Sequence, residues 1–225
     1  MNAFARLLLC TALSGLALGA QARTFEVSDF AELDNAVIEA EDGDEIVIKK
    51  GVYELEAPLE IFSRVTVRGE QGAVIDAGGR GSGFIVRVPK VRIENLTVRN
   101  YGGDLYARDA GVMVGDGADG TELVNLTLQG PGFGVRADRM NALVVEGCTI
   151  EGDAARHVLD RGDGIFLSYV KNARLNHNSL RNVRDGYYLE NVDAAKSDFN
   201  YFTGAQYGIH YMYTRDCTAT GNRAV

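Results

Sequence analysis

Gly164, Gly186 and Gly208 stand 22 residues apart, and Asn178, Asn200 and Asn222 each follow their glycine by 14. The strings GDGIFLSYVKNARLNHNSLRNV, RDGYYLENVDAAKSDFNYFTGA and QYGIHYMYTRDCTATGN align on those positions. Weaker copies lie upstream. Gly134 and Cys148 keep the 14-residue offset, and the segments 94–98 and 124–128 match one another 30 residues apart. A period near 22 with alternating apolar residues is the length of one coil of a parallel β-helix, in which each coil buries its inward side chains on its neighbours. Leucine-rich repeats of similar length need a leucine consensus that this chain lacks, and helical repeats need longer units. The expected fold is therefore all-β, a right-handed parallel β-helix with coils about 4.8 Å apart. Asparagine at a repeated turn fits, because it tolerates left-handed backbone and bonds its neighbours in a ladder.

Strand alternation assigns faces. Ile165 with Leu167, Tyr187 with Leu189, and Ile209 with Tyr211 are expected inside. Phe166, Tyr188 and His210 then form one outward column, and Ser168, Glu190 and Met212 the next. Upstream, short runs at 46–48, 52–55, 65–67 and 84–88 read as strands between Gly and Asp clusters. Ser28 is a good N-cap for a helix over about 29–40, with Phe30, Leu33, Val37 and Ile38 on the face that covers the first coil.

The first 22 residues have another character. Arg6 precedes an apolar run from Leu7 to Gly19, shorter than a membrane span, and Ala20-Gln21-Ala22 places small residues where a signal peptidase reads. The expectation is a cleavable signal peptide at 1–22 and one exported β-helix domain at 23–225. Cys10 lies inside the apolar run, the wrong place for a lipidated cysteine. The chain has 31 acidic and 23 basic residues, one of them Arg6. That acidic balance, without a basic cluster, argues against nucleic acid as a partner. The sequence stops just after Asn222 with no closing segment, and is expected to be a piece of a longer solenoid.

His210 and Met212 share one face about 7 Å apart, with Glu190 one coil away. Imidazole and thioether together suit copper, Cu(I) in particular. Asp163 and Asp185, one coil apart, offer a second reading, general acid and base of a polysaccharide lyase or hydrolase. Asp-Gly is also a common turn pair. Two insertions leave the solenoid at the same corner. The first carries Tyr101, Asp104, Tyr106, Arg108 and Asp109, and the second His157 and Asp160; insertions on one face of a solenoid are often its binding face. Cys148 and Cys217, three coils or about 14 Å apart, are too distant for a disulfide. His177 is expected to be a solvated turn residue.

The strings RGDGIFL, RDGYYLE and above all the Tyr-Gly-Ile-His-Tyr-Met-Tyr run at 207–213 resemble the NosD-type family of periplasmic maturation proteins of nitrous oxide reductase, as does GDEIVIKKGVYEL near the start. The likeness extends over 24–225. It implies a non-enzymatic, copper-binding β-helix in the periplasm. It also implies an ABC-type transporter with its membrane subunit, a copper chaperone lipoprotein as donor, and the reductase's copper–sulfur cluster as destination. His210 and Met212 fall within the matched motif. Family members are nearly twice as long, and Gln206 stands where arginine is expected before the motif.

Overall fold

The computed structural model describes residues 21–225; the expected signal segment thus lies almost wholly outside the described residues. The chain winds into three parallel sheets of nine, eight and seven strands. Strands neighbouring in a sheet belong to successive coils, so every pairing is parallel: Ile165 opposes Tyr187, and Tyr187 opposes Ile209. The core is a column of Ile, Leu and Val from all three sheets, including Ile46, Ile93, Leu123, Leu167 and Leu189. The faces follow the alternation. Ile165, Leu167, Tyr187 and Leu189 have no exposed surface, while Phe166, Tyr188 and His210 stand in outward register.

One α-helix, Phe30–Glu39, covers the first coil with Leu33 and Ala36 buried. Its N-cap is Asp29, not Ser28. The Asp29 carboxylate accepts the Glu32 N–H, while Ser28 donates its own N–H and hydroxyl to Glu32. Glu32 is thus tied twice to the residues ahead of the helix, its N–H to the capping carboxylate of Asp29 and its own carboxylate to Ser28. Ile38 is 73% exposed, so it does not belong to the covering face.

The repeated glycine extends further than the sequence repeat shows. Gly83, Gly111, Gly134, Gly164, Gly186 and Gly208 form one column, and a Cβ on each of the first five would press on the carbonyl oxygen of the next. It would also press on the core: on Val98, Ile150, Leu180 and Phe202 at Gly83, Gly134, Gly164 and Gly186. None of the six has a positive φ. Clearance, rather than turn conformation, excludes a side chain there. Gly186→Ala is expected to cost about 1–3 kcal/mol through overpacking, read as a lower urea midpoint with m unchanged. Substitution by Ala at Gly79, where a Cβ meets nothing, tests only its left-handed φ of 82°.

The asparagine column is a ladder, but it is not the left-handed position. The residues just before it, Gly147, His177, Phe199 and Gly221, carry the positive φ. Asn178 and Asn200 point inward and are buried. Asn200 Oδ1 accepts the Asn178 N–H at 2.8 Å, and Asn222 Oδ1 accepts the Asn200 N–H at 2.9 Å. The side-chain amides of the three donate to Val145 O, Leu175 O and Ser197 O.

Candidate functional site

The seven-stranded sheet presents its outer face through strands Phe133–Asp138, Ile165–Ser168, Asp185–Glu190 and Tyr207–Met212. Each coil adds one side chain to a column Arg136, Phe166, Tyr188, His210. The Arg136 guanidinium lies 4.1 Å from the Phe166 ring centroid. Phe166 and Tyr188 stack at 5.1 Å, and Tyr188 meets His210 edge-on at 4.8 Å. Tyr207 closes on His210 from the other side at 5.1 Å. Beside this column run Asp138, Ser168, Glu190 and Met212. The His210–Met212 pair and its neighbour Glu190 therefore share one outer face, and all three are half-buried. Among the described residues Glu190 makes no ion pair.

Asp185 is the partner of His210, a pairing the spacing of the sequence does not reveal. Its Oδ2 lies 2.9 Å from His210 Nδ1, and its carboxyl is only 3–4% exposed. Strict alternation would turn Asp185 inward with Tyr187. The glycine between them breaks the alternation: a Cβ at Gly186 would meet the core ring of Phe202, and Tyr187 is also inside. Two successive inward positions leave Asp185 on the outer side. A carboxylate accepts across this contact, so the ring turns its Nδ1–H toward Asp185. A carboxylate behind a histidine is the usual support of a metal-ligating imidazole.

Asp163, one coil back, is fully buried. Arg184 grips it from Nε and Nη2 at 2.9 and 2.6 Å, and it also accepts the Asp185 N–H at 3.2 Å. Burial pushes its carboxyl up to about 6, against the opposing pull of Arg184. Neither Asp163 nor Asp185 shows a carboxyl face to solvent, so the acid–base pair expected for a carbohydrate enzyme is not laid out to meet a substrate.

The donor chemistry can be tested against copper. Among the described residues no three or more His, Cys, Asp or Glu side chains gather to hold a metal. Cys148 is buried, and burial raises its thiol to about 11, which keeps it protonated and unsuited to ligation. Cys148 and Cys217 are both free thiols. On the outer face the donors are the His210 imidazole and the Met212 thioether, a mixed nitrogen and sulfur set of the kind soft cations take.

The two insertions meet, as their common corner implies: Arg156 Nη1 reaches Gly103 O at 3.5 Å. Asp104 folds the first loop by accepting the N–H groups of Tyr106 and Ala107. Arg108 ties it to the outer face through Asp138 at 3.6 Å. Tyr106 is 100% exposed at the tip, and His157 and Asp160 are exposed in the second loop. Tyr101 is a correction. It is wholly buried, in space left by Gly111 and Gly130, so it serves the core and offers nothing to a partner. His177 stacks on Phe199 at 5.5 Å and stays exposed, away from any cluster.

Comparison with known proteins agrees with this geometry. The family model "Right handed beta helix region" matches residues 60–224. The protein "Probable ABC transporter binding protein NosD" of Stutzerimonas stutzeri is 39% identical over 137 residues, which is 61% of this chain. Its namesake in Pseudomonas aeruginosa is 36% identical over 136 residues. Each match spans 30% of the relative's own length. Among solved structures, a PL6 alginate lyase in complex with a trisaccharide superposes with a TM-score of 0.60 at 14% identity, covering 92% of this chain and 55% of the lyase. A protein of Parabacteroides merdae provisionally assigned as a glycosyl hydrolase gives 0.58 at 12% identity, covering 89% and 95%. At such identities these two share the fold alone. The chain belongs to the right-handed β-helix family, and the two NosD proteins are relatives of which its matches span 30%.

Proposed function

We propose that this chain is a non-enzymatic periplasmic accessory protein for assembly of the copper cluster of nitrous oxide reductase, working with an ABC-type transporter. The observation that carries the reading is the outer-face pair His210 and Met212, with Asp185 holding the imidazole through Nδ1. It lies inside the motif at 207–213 that resembles the NosD type. Copper is cargo here: a chaperone lipoprotein hands it over, the two donors hold it briefly, and Glu190 lends negative charge beside Met212. The joined insertions, with Tyr106, His157 and Asp160 on their surface, form the face that meets the transporter's membrane subunit or the donor. Export through the signal segment at 1–22 puts the chain in the periplasm with those partners.

Competition titration of Cu(I) against bicinchoninate tests the site. His210→Ala is expected to abolish competitive binding. Asp185→Asn, which leaves both donors in place, is expected to weaken it about 10–100-fold, the usual effect of losing an outer-shell partner. His177→Ala should leave it unchanged. Equal Cu(I) affinity in the wild type and in His210→Ala would contradict the assignment.

A further inference from the structure

Beyond the edge of the outer face, at the turn that follows the seven-stranded sheet, Tyr169, Asn191 and Tyr213 stack in register on successive coils. They line a cleft of about 370 Å³ together with Lys171, Asp193 and Arg215. Tyr169 and Tyr213 are 59% and 77% exposed, so they add little to the core. All three stacked residues have left-handed backbone, with φ of 55°, 52° and 54°. Asparagine takes that conformation readily, whereas a bulky aromatic does so at a cost. Asn191 is the easy solution for this turn. The flanking tyrosines are the costly one, and their rings stand in solvent at the walls of a cleft.

The spacing restricts what fits between them. Two coil steps separate the tyrosines by about 9.6 Å, with the short Asn191 as floor. A ring in van der Waals contact on both faces needs walls about 7–8 Å apart, which two steps provide with room for the tyrosines to lean inward. One step would be too narrow and three too wide. The floor is polar, so the inserted edge must carry hydrogen-bonding groups, which a sugar has and a phenylalanine side chain lacks. The charge is also directional. Arg215 holds Asp193 with two bonds of 3.0 and 2.9 Å, while Lys171, on the same ladder of bridges, has no ion pair among the described residues. Lys171 and Arg215 thus share the single carboxylate of Asp193, which leaves the lining of the cleft one positive charge in excess on a chain of net charge −8.

We propose that the slot between Tyr169 and Tyr213 binds one anionic sugar residue, a hexuronate-type pyranose whose carboxylate meets Lys171 and whose ring lies between the two tyrosines. This site is separate from the His210–Met212 pair, and binding there needs no metal. The test is saturation-transfer NMR and calorimetry on the full chain with trigalacturonate, the neutral galactotriose and a hexaglutamate peptide. Trigalacturonate is expected to bind with millimolar affinity or better and to lose it as salt rises. Tyr169→Ala and Tyr213→Ala should each weaken it about tenfold or more. Lys171→Gln should remove the preference over galactotriose. Asn191→Tyr, which fills the slot with a residue the same column already tolerates, should abolish binding while the circular dichroism stays native. No transfer from trigalacturonate at about 5 mM, binding that survives Asn191→Tyr, or binding of hexaglutamate alone would overturn the proposal.

Discussion

Arg184→Ala is expected to lose about 3–5 kcal/mol of stability at pH 8, because it leaves a buried carboxylate without its counter-ion. Asp163 has no exposed surface, and among the described residues its carboxylate has only the Asp185 N–H as a partner besides Arg184. The effect should depend on pH with a definite sign. Burial already raises the Asp163 carboxyl from 3.8 to about 6. The folded state thus binds this proton more tightly than the unfolded chain. The group's contribution is fully present below about pH 4 and is lost as pH rises through about 6, by about 3 kcal/mol for a shift of that size. Removing Arg184 raises the folded value further and extends the loss to higher pH. The deficit of Arg184→Ala should therefore be small at pH 4.5, by the same linkage, and open above pH 6. Adding Asp163→Asn should recover most of it at pH 8. Urea titrations at the two pH values check this, and a deficit equal at both would contradict the assignment.

The second large effect belongs to the asparagine ladder. Asn200→Ala removes the acceptor of the Asn178 N–H and the donor to Leu175 O, both inside the solenoid. Each buried polar group left without a partner costs about 1–3 kcal/mol, so a loss of about 3 kcal/mol is expected. Asn222→Ala frees the Asn200 N–H and Ser197 O, but because the Asn222 side chain is itself half-exposed, water can replace it and the loss should be smaller. Denaturant melts of the two variants check the gradient. Equal losses would show that the ladder's value does not come from burial.

Much of the solenoid was legible in the spacing of a few residues. The 22-residue glycine and asparagine periods, with alternation over 165–167 and 187–189, placed the core and both outward columns in register, whereas of the expected inward pair in the next coil Ile209 is only partly covered and Tyr211 is 40% exposed. The reasons were less legible. The glycines looked like turn residues because Asp-Gly is a turn pair, yet what excludes a side chain is Phe202, Leu180 and the next coil's carbonyl, all distant in sequence. The same glycine hides the Asp185–His210 bond, since period-two counting carries Asp185 inward with Tyr187. The burial of Tyr101 is hidden for a related reason. It sits in a polar, glycine-rich insertion that reads as surface, and the space that receives it is made by Gly111 and Gly130. Side chains facing one another along a strand follow from local pattern. Contacts across coils at a break in that pattern do not.

The central claim, that this chain serves copper loading of the reductase, is tested most directly on the reductase itself. Nitrous oxide reductase would be purified from a strain lacking this gene, and its copper per subunit and cluster absorbance determined. The prediction is a reductase whose other copper centre is filled and whose catalytic copper–sulfur cluster is missing, restored by the wild-type gene and not by the His210→Ala allele. A fully loaded, active reductase from the deletion strain would contradict it.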